Sequence, residues 1–225
     1  MEAGGRVRCL HVSTIPGGHG PAPWAFCPDR EDQRPWPRGP VNGTLLPVKA
    51  DRHVPPAGFE RTVRLRDGRE VDIAPLTPAD ANELGEALRH ADSETLYQRF
   101  CGAPPKVTPA LLRYLTDLDY VRRFALVARD HNETGVAIAR YEATGEPGVA
   151  EVAVVVDRDW RRAGLATTLL RMLAEAARDR GFTHFTALYL ADNRPVSEIL
   201  DAVNGTRTIA QGIAEASVRL KGALG

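Results

Sequence analysis

The chain has 225 residues, with 29 lysines and arginines balanced by 29 aspartates and glutamates, and 43% of its residues are hydrophobic. This length suffices for one domain with an appendage or for two small domains, and it excludes a large multidomain assembly. The formal net charge of zero argues against a generally basic nucleic-acid-binding protein, although local basic sites stay open. We therefore expect no nucleic acid among its partners.

The sequence contains no run that approaches the about 18 consecutive apolar residues of a membrane helix, and its N-terminus lacks the apolar region of a secretory signal. These features predict no membrane partner and a cytoplasmic location. Cys9, Cys27 and Cys101 form no even, closely spaced set, so we expect reduced thiols rather than a disulfide scaffold.

Residues 1–60 differ in composition from the rest of the chain, because they hold ten of the 17 prolines and eight of the 20 glycines. Neither a helical nor an alternating hydrophobic period runs through them. Prolines at this density remove backbone donors and keep the chain extended. We therefore predict a disordered or loosely draped arm over residues 1–60, of no readable function, and a folded domain over residues 61–225.

A zinc site within this arm can be imagined, but its spacing fits no common structural zinc module. We therefore interpret its ligands as scattered residues and predict no metal site. The imagined ligands are Cys9, His11, His19 and Cys27.

A regular pattern begins near Arg61. Two short extended runs flank Asp67-Gly68, which is a strong hairpin signal. Threonine followed by proline then appears twice, and each pair predicts a helix N-terminus because threonine caps and proline suits the first helical position. The predicted elements are strands 63–66 and 70–76, a helix from Thr77 to about His90, a helix over Ser93 to Phe100, and a helix from Thr108 through Leu115.

Alternating apolar residues next predict an antiparallel meander. A helix with an apolar stripe follows and ends at Gly181, and the strand after it should run parallel to the strand before it because a helix connects them. The order predicts one α/β domain of about 160 residues. The strands are predicted at 124–129, 135–141, 150–156, 183–190, 206–211 and 213–220, and the helices at 166–180 and about 195–203.

The segment AEVAVVVDRDWRRAGLATTLL, residues 150–170, contains the turn from strand to helix. A glycine among small residues at such a turn lets backbone N–H groups point at an anion beside the positive end of the helix. Arg158, Arg161 and Arg162 add positive charge. The turn therefore suits a phosphate or pyrophosphate, although a tight turn with solvated arginines fits the residues as well.

This turn resembles a known family. It matches the R/Q-x-x-G-x-G/A signature of the GNAT acetyltransferases, and the resemblance covers about residues 62–220. Within that family AEVAVVVDRDWRRAGLA, GREVDIAPLTPADA and SETLYQRF are most similar to bacterial Pat-type protein lysine acetyltransferase domains. The matching residues are Arg161, Arg162, Ala163, Gly164, Leu165 and Ala166.

The resemblance implies a mixed, mostly antiparallel sheet with helices on both faces, in which a central parallel strand pair splays to bind acyl-CoA. It also implies acetyl-CoA as the acyl donor, with its pyrophosphate on the amides of the signature, and no metal. The backbone of Val154, Val155 and Val156 would contact the thioester arm. Asn193 would contact the pantetheine, or it is an ordinary helix N-cap.

Glu151 is the predicted catalytic base. It alternates with Ala153 and Val155 on one face of an apolar strand, and Pat-type domains have a glutamate at the same distance from the signature. A carboxylate in a partly dehydrated groove can take the proton of an attacking ammonium. The alternative is a glutamate at a strand end that faces solvent.

The general acid of many GNAT enzymes is missing, because Leu200 stands where they have a tyrosine. A thiolate is weakly basic and could take its proton from water, and Ser197 is a weak candidate donor.

The sequence thus predicts an acetyl-CoA-dependent N-acetyltransferase that acts on a primary amine, in first place a protein lysine, by direct transfer. Two alternatives stay open: a small amine such as a polyamine or antibiotic as acceptor, or a catalytically weak acyl-CoA-binding regulator. An acidic acceptor groove would favour a small cation, and an open, shallow groove would favour a protein. The oligomeric state is open.

Overall fold

The computed structural model describes residues 54–220. Apart from residues 54–60, the arm predicted over residues 1–60 lies outside this range, and so do all four imagined zinc ligands. The disorder of the arm and the boundary of the domain therefore stay predictions. Within residues 54–220 no helix is long and apolar enough to cross a membrane.

In the described part of the chain, eight strands form one sheet in the order β1-β2-β3-β4-β5-β6-β8-β7. Among the described strands, β5 and β6 form the one parallel pair, and the other neighbours are antiparallel. The predicted mixed α/β fold is thereby confirmed. The strands are β1 Arg61–Arg64, β2 Glu70–Pro75, β3 Arg123–Arg129, β4 Gly135–Ala143, β5 Val149–Val156, β6 His184–Leu190, β7 Thr206–Ala210 and β8 Ile213–Arg219.

Several helices begin at residues whose side chains cap them. Asp92 accepts a hydrogen bond from the Thr95 N–H at 2.8 Å, and Thr108 accepts one from the Leu111 N–H at 3.1 Å. The helix Leu165–Asp179 (α4) packs across β3, β4 and β5, whereas the helix Ser93–Phe100 (α2) packs on β5 and β6. The helices are α1 Ala81–His90, α2 Ser93–Phe100, α3 Pro109–Thr116, α4 Leu165–Asp179 and α5 Arg194–Ala202.

The main core lies between the sheet and α4. Leu169 and Leu173 of α4 are fully buried there, and Val152, Val154 and Val156 of β5 pack against this core. Because side chains alternate along a strand, Glu151 lies on the opposite face of the sheet. A second, smaller cluster is centred on Tyr189, Leu200, Ala214 and Ala216.

The sheet opens between its two parallel strands. Strand pairing joins Val149 to His184, Ala150 to Phe185 and Glu151 to Thr186, and it ends there although β5 continues to Val156 and β6 to Leu190. The predicted splay of the central pair is therefore present, and it starts next to Glu151.

Replacing the buried Leu169 with alanine is expected to lower the free energy of unfolding by about 2–5 kcal/mol, because it leaves a cavity between α4 and the sheet. Urea denaturation measures this loss. Arg171→Ala, on the exposed face of the same helix, is the matched control and should change the free energy by less than about 0.5 kcal/mol. Equal effects of both substitutions would contradict the assigned core.

Candidate active site

The turn between β5 and α4 is built to leave backbone N–H groups free. Gly164 has φ +89° and Arg162 has φ +64°, conformations that turn the chain sharply before α4 begins at Leu165. No side chain in the described part of the chain caps α4, and the N–H of Thr168 donates to the Gly164 carbonyl. The amides of the three residues before Thr168 therefore point out of the helix end, where a diphosphate fits.

The three arginines of this turn are not equivalent. The guanidinium of Arg161 turns inward, where Nε donates to the Val156 carbonyl at 3.2 Å and Nη2 donates to Thr95 Oγ1 at 2.7 Å. Arg161 thus ties the turn to the end of β5 and to α2. Arg158 and Arg162 are exposed, so their charges face the solvent side of the turn.

The β1–β2 hairpin lies against the same turn, a contact that the sequence did not predict. The N–H of Arg66 donates to the Ala163 carbonyl at 3.1 Å. Arg69 donates to the Asp159 carbonyl at 3.0 Å and lies 4.0 Å above the Trp160 ring centre. The one sequence signal for this contact is the spacing of arginines at 64, 66 and 69 around the hairpin turn.

Backbone direction along β5 follows from the hydrogen bonds at its two ends. The Gly148 carbonyl accepts from the N–H of His184 on the β6 side, and the Val149 carbonyl accepts from the N–H of Thr144 on the β4 side. At the far end the N–H of Asp157 donates toward β4. Because these directions alternate along a strand, the even-numbered residues of β5 direct their backbone groups toward β6.

This alternation separates the three valines. Val154 directs its N–H and C=O into the gap between β5 and β6, past the end of the paired region. Val155 pairs with Ile138 of β4, so its backbone groups face away from the gap. Val156 faces the gap, but its carbonyl already accepts from Arg161. Of these three valines, Val154 is therefore the one whose N–H and C=O are both open to a ligand in the gap.

Glu151 lies at the point where the two parallel strands separate. Burial raises the pKa of its carboxyl group to about 7, against the opposing effect of Arg99. The nearby carboxylates of Glu142 and Glu215 raise this pKa further, and Arg140 lowers it. A carboxyl group with a pKa near neutrality can both accept and release a proton at the pH of the cell, as a general base requires.

Glu142 is the cross-strand neighbour of Glu151 on β4. Its carboxylate accepts hydrogen bonds of 2.6 and 2.8 Å from the Tyr114 hydroxyl, and Arg140 donates to it at 3.0 Å. Burial raises the pKa of Tyr114, so the phenol stays a donor. These contacts hold the Glu142 side chain in place beside the base.

Other groups are less suited to chemistry. Burial raises the pKa of the half-buried Cys101 thiol, which disfavours a nucleophilic thiolate. His131 is exposed in a turn, and His184 Nδ1 lies 2.9 Å from Thr183 Oγ1 at the start of β6. Among residues 54–220 no three side chains gather as metal ligands.

Asn193 caps α5, because its side-chain oxygen accepts from the Val196 N–H at 3.3 Å. Asn193 is therefore a helix N-cap, and its side-chain NH₂ stays available to a ligand. Leu200 is buried in the second core cluster beside Tyr189. Ser197 is half-buried on α5.

Known proteins resemble this chain in sequence and fold. The sequence model of the acetyltransferase (GNAT) family matches residues 88–197. Acetyltransferase PA5475 of Pseudomonas aeruginosa is 34% identical over 142 residues, which are 62% of this chain and 76% of that protein. The GNAT domain of S. lividans PAT shares 28% identity, with a TM-score of 0.67 over 73% of this chain and 98% of that domain.

Acetyltransferase Pat of Mycolicibacterium smegmatis is 33% identical over 142 residues, 62% of this chain but only 42% of that protein. The chain therefore spans less than half the length of this relative. The family match includes Glu151, the signature turn and Asn193, and the identity to PA5475 covers most of that protein. The chain belongs to the GNAT family of acetyltransferases.

Proposed function

We propose that this acetyltransferase moves the acetyl group of acetyl-CoA to a primary amine, in first place the Nζ of a protein lysine, by direct transfer in a ternary complex. The observation that carries the proposal is the position of Glu151. It is a partly buried carboxyl group with a pKa of about 7, and it lies where β5 and β6 begin to separate.

The donor would lie along the opened edge of β5. The outward amides of Leu165, Ala166 and Thr167 suit its diphosphate, and the backbone of Val154 suits the amide groups of its pantetheine arm. The side-chain NH₂ of Asn193 would reach the same arm. Bound there, acetyl-CoA supplies a thioester whose carbonyl carbon is open to attack.

The amine must lose a proton before its nitrogen can attack. Glu151 takes that proton, directly or through water, and the nitrogen then forms a bond to the thioester carbon. The carbon–sulfur bond breaks, the electron pair leaves on the sulfur, and the nitrogen gives up its second proton to water as the amide forms. A thiol has a pKa of about 8.5, so the thiolate can take a proton from water where Leu200 offers no donor.

The acceptor groove begins beside Glu151. Thr186 is paired with Glu151, Ser217 with Thr186, and Thr206 with Ser217, so these side chains form one row across the sheet. The row borders an open groove of about 300 Å³ that also contains Glu215. Arg207 also lines the groove, so one carboxylate and one guanidinium lie among hydroxyl groups, and this lack of net negative charge suits the single ammonium of a lysine better than a polycation.

The similarity to the Pat proteins supports a protein lysine as the acceptor. The cytoplasmic location expected from the sequence is part of this proposal.

Incubation with radiolabelled acetyl-CoA tests the acceptor. A panel of bacterial proteins, polyamines and aminoglycosides is offered at equal amine concentration, and we expect label on protein lysines, located by mass spectrometry. Label on the small amines alone would favour the small-molecule alternative. Tight acetyl-CoA binding with no label on any acceptor would favour the acyl-CoA-binding regulator.

A further inference from the structure

Arg66 lies on the turn of the β1–β2 hairpin, far along the chain from the signature turn that it touches. Its backbone N–H donates to the Ala163 carbonyl at 3.1 Å. Arg69 supplies a second tie through the Asp159 carbonyl at 3.0 Å. Two hydrogen bonds thus hold the hairpin on the turn, and the position of Arg66 is set by backbone contacts.

The side chain of Arg66 lies over Gly164. A Cβ atom built on Gly164 would be 3.3 Å from Arg66 Nε and 3.5 Å from Cδ. The guanidinium therefore stands beside the amides at the start of α4. Arg66 is exposed, and it makes no hydrogen bond or ion pair through its side chain to another residue of the range 54–220.

Neighbouring arginines are committed to contacts within the protein. Arg161 donates to Val156 and Thr95. Arg69 forms an ion pair of 2.6 Å with Asp67 and stacks on Trp160. Arg66 has no such role, so its charge is open to a ligand.

The chemistry of the donor calls for such a charge. CoA carries a diphosphate and a 3′-phosphate, and helix-end amides alone offer only partial positive charge. A guanidinium matches phosphate oxygens with two parallel donors. We propose that Arg66 binds a phosphate group of the CoA nucleotide, so that the β1–β2 hairpin completes the phosphate site of the signature turn. This inference rests on acetyl-CoA as the donor and not on the nature of the acceptor.

Calorimetric titration of the full chain with CoA tests the proposal. Arg66→Ala should weaken CoA binding about tenfold, because one charge-assisted contact is lost, while the backbone tie to Ala163 is kept. The CoA affinity of Arg66→Lys should lie between those of the unaltered chain and Arg66→Ala. Arg64→Ala, an exposed arginine of the same hairpin, is the matched control and should bind within twofold of the unaltered chain.

A second titration with 3′-dephospho-CoA identifies the phosphate. If Arg66→Ala weakens CoA binding but not dephospho-CoA binding, Arg66 binds the 3′-phosphate. Equal losses with both ligands place it on the diphosphate. Affinities of Arg66→Ala within twofold of Arg64→Ala for both ligands would overturn the proposal.

These titrations contain no acceptor, so they separate the two proposals. Arg66-dependent CoA binding without acetyl transfer would contradict the proposed function alone. Failure of the unaltered chain to bind CoA would overturn both.

Discussion

Glu151→Gln is expected to lower kcat by about 10²–10⁴-fold, because the amide cannot accept the proton of the attacking ammonium. Glutamine has nearly the same shape, and the turn that suits the diphosphate does not involve this side chain. The affinity for acetyl-CoA should therefore be unchanged. Steady-state kinetics with a lysine peptide and calorimetry with acetyl-CoA measure the two quantities.

The pH dependence provides a second readout of the same substitution. Burial raises the pKa of Glu151 to about 7, so kcat/KM of the unaltered enzyme should rise tenfold per pH unit below that value. In Glu151→Gln, kcat/KM should no longer show this rise with pH below about 7. Glu175→Gln removes an exposed ion pair with Arg61 and is the control. It should keep both the kcat and the pH dependence of kcat/KM of the unaltered enzyme. A glutamine variant with normal turnover would remove Glu151 as the base.

Loss of folding cannot explain the expected loss of turnover. The folded-state pKa of Glu151 lies above the value of about 4.3 in an unfolded chain, so the folded protein holds this proton more tightly. Ionisation of Glu151 therefore costs stability above about pH 7, and this cost disappears below about pH 4. Glu151→Gln should be at least as stable as the unaltered chain at pH 8, as thermal melting can show.

Gly164→Glu should weaken acetyl-CoA binding by about 100-fold or more. The carboxylate would enter the site of the diphosphate, where like charges repel by several kcal/mol. The position also disfavours any side chain, because its φ of +89° is strained for residues other than glycine and its Cβ would meet Arg66. Calorimetry measures the affinity, and binding within fivefold of normal would contradict the assigned turn.

Two variants separate charge from strain. Gly58→Glu places the same side chain at a φ of +90° with open space around it, so it should bind acetyl-CoA normally. Gly164→Gln keeps the strain and removes the charge, and it should lose less affinity than Gly164→Glu. Equal losses for glutamine and glutamate would assign the effect to the backbone rather than to the anion site.

The order of elements was predictable because each one has a local signal. Hydrophobic alternation marks the strands around Glu151, and threonine-proline pairs mark the starts of two helical segments. The parallel pairing of β5 and β6 followed from the helix between them. The signature turn and Glu151 were found from their spacing and from the family resemblance, and the structure puts them at the two ends of one strand.

Other parts of the site depend on contacts between distant residues. The guanidinium of Arg161 turns inward because Thr95, in another helix, accepts its hydrogen bond. The contact of Arg66 with Gly164 requires the folded sheet to bring the hairpin over the turn. The different backbone directions of Val154 and Val155 follow from a register that single-sequence patterns do not fix.

The short pairing between β5 and β6 has a mechanical consequence. Three residue pairs join β5 to β6, and beyond them the two sides of the sheet are held together by α2, which packs on both strands, and by Phe185 of β6, which belongs to the main core. Further separation of the two strands past Glu151 breaks no strand pairing, because the pairing ends there. A donor bound along the free edge of β5, as proposed, would take the place of the missing strand pairs, so the enzyme would be stiffer with the donor bound than after the donor leaves.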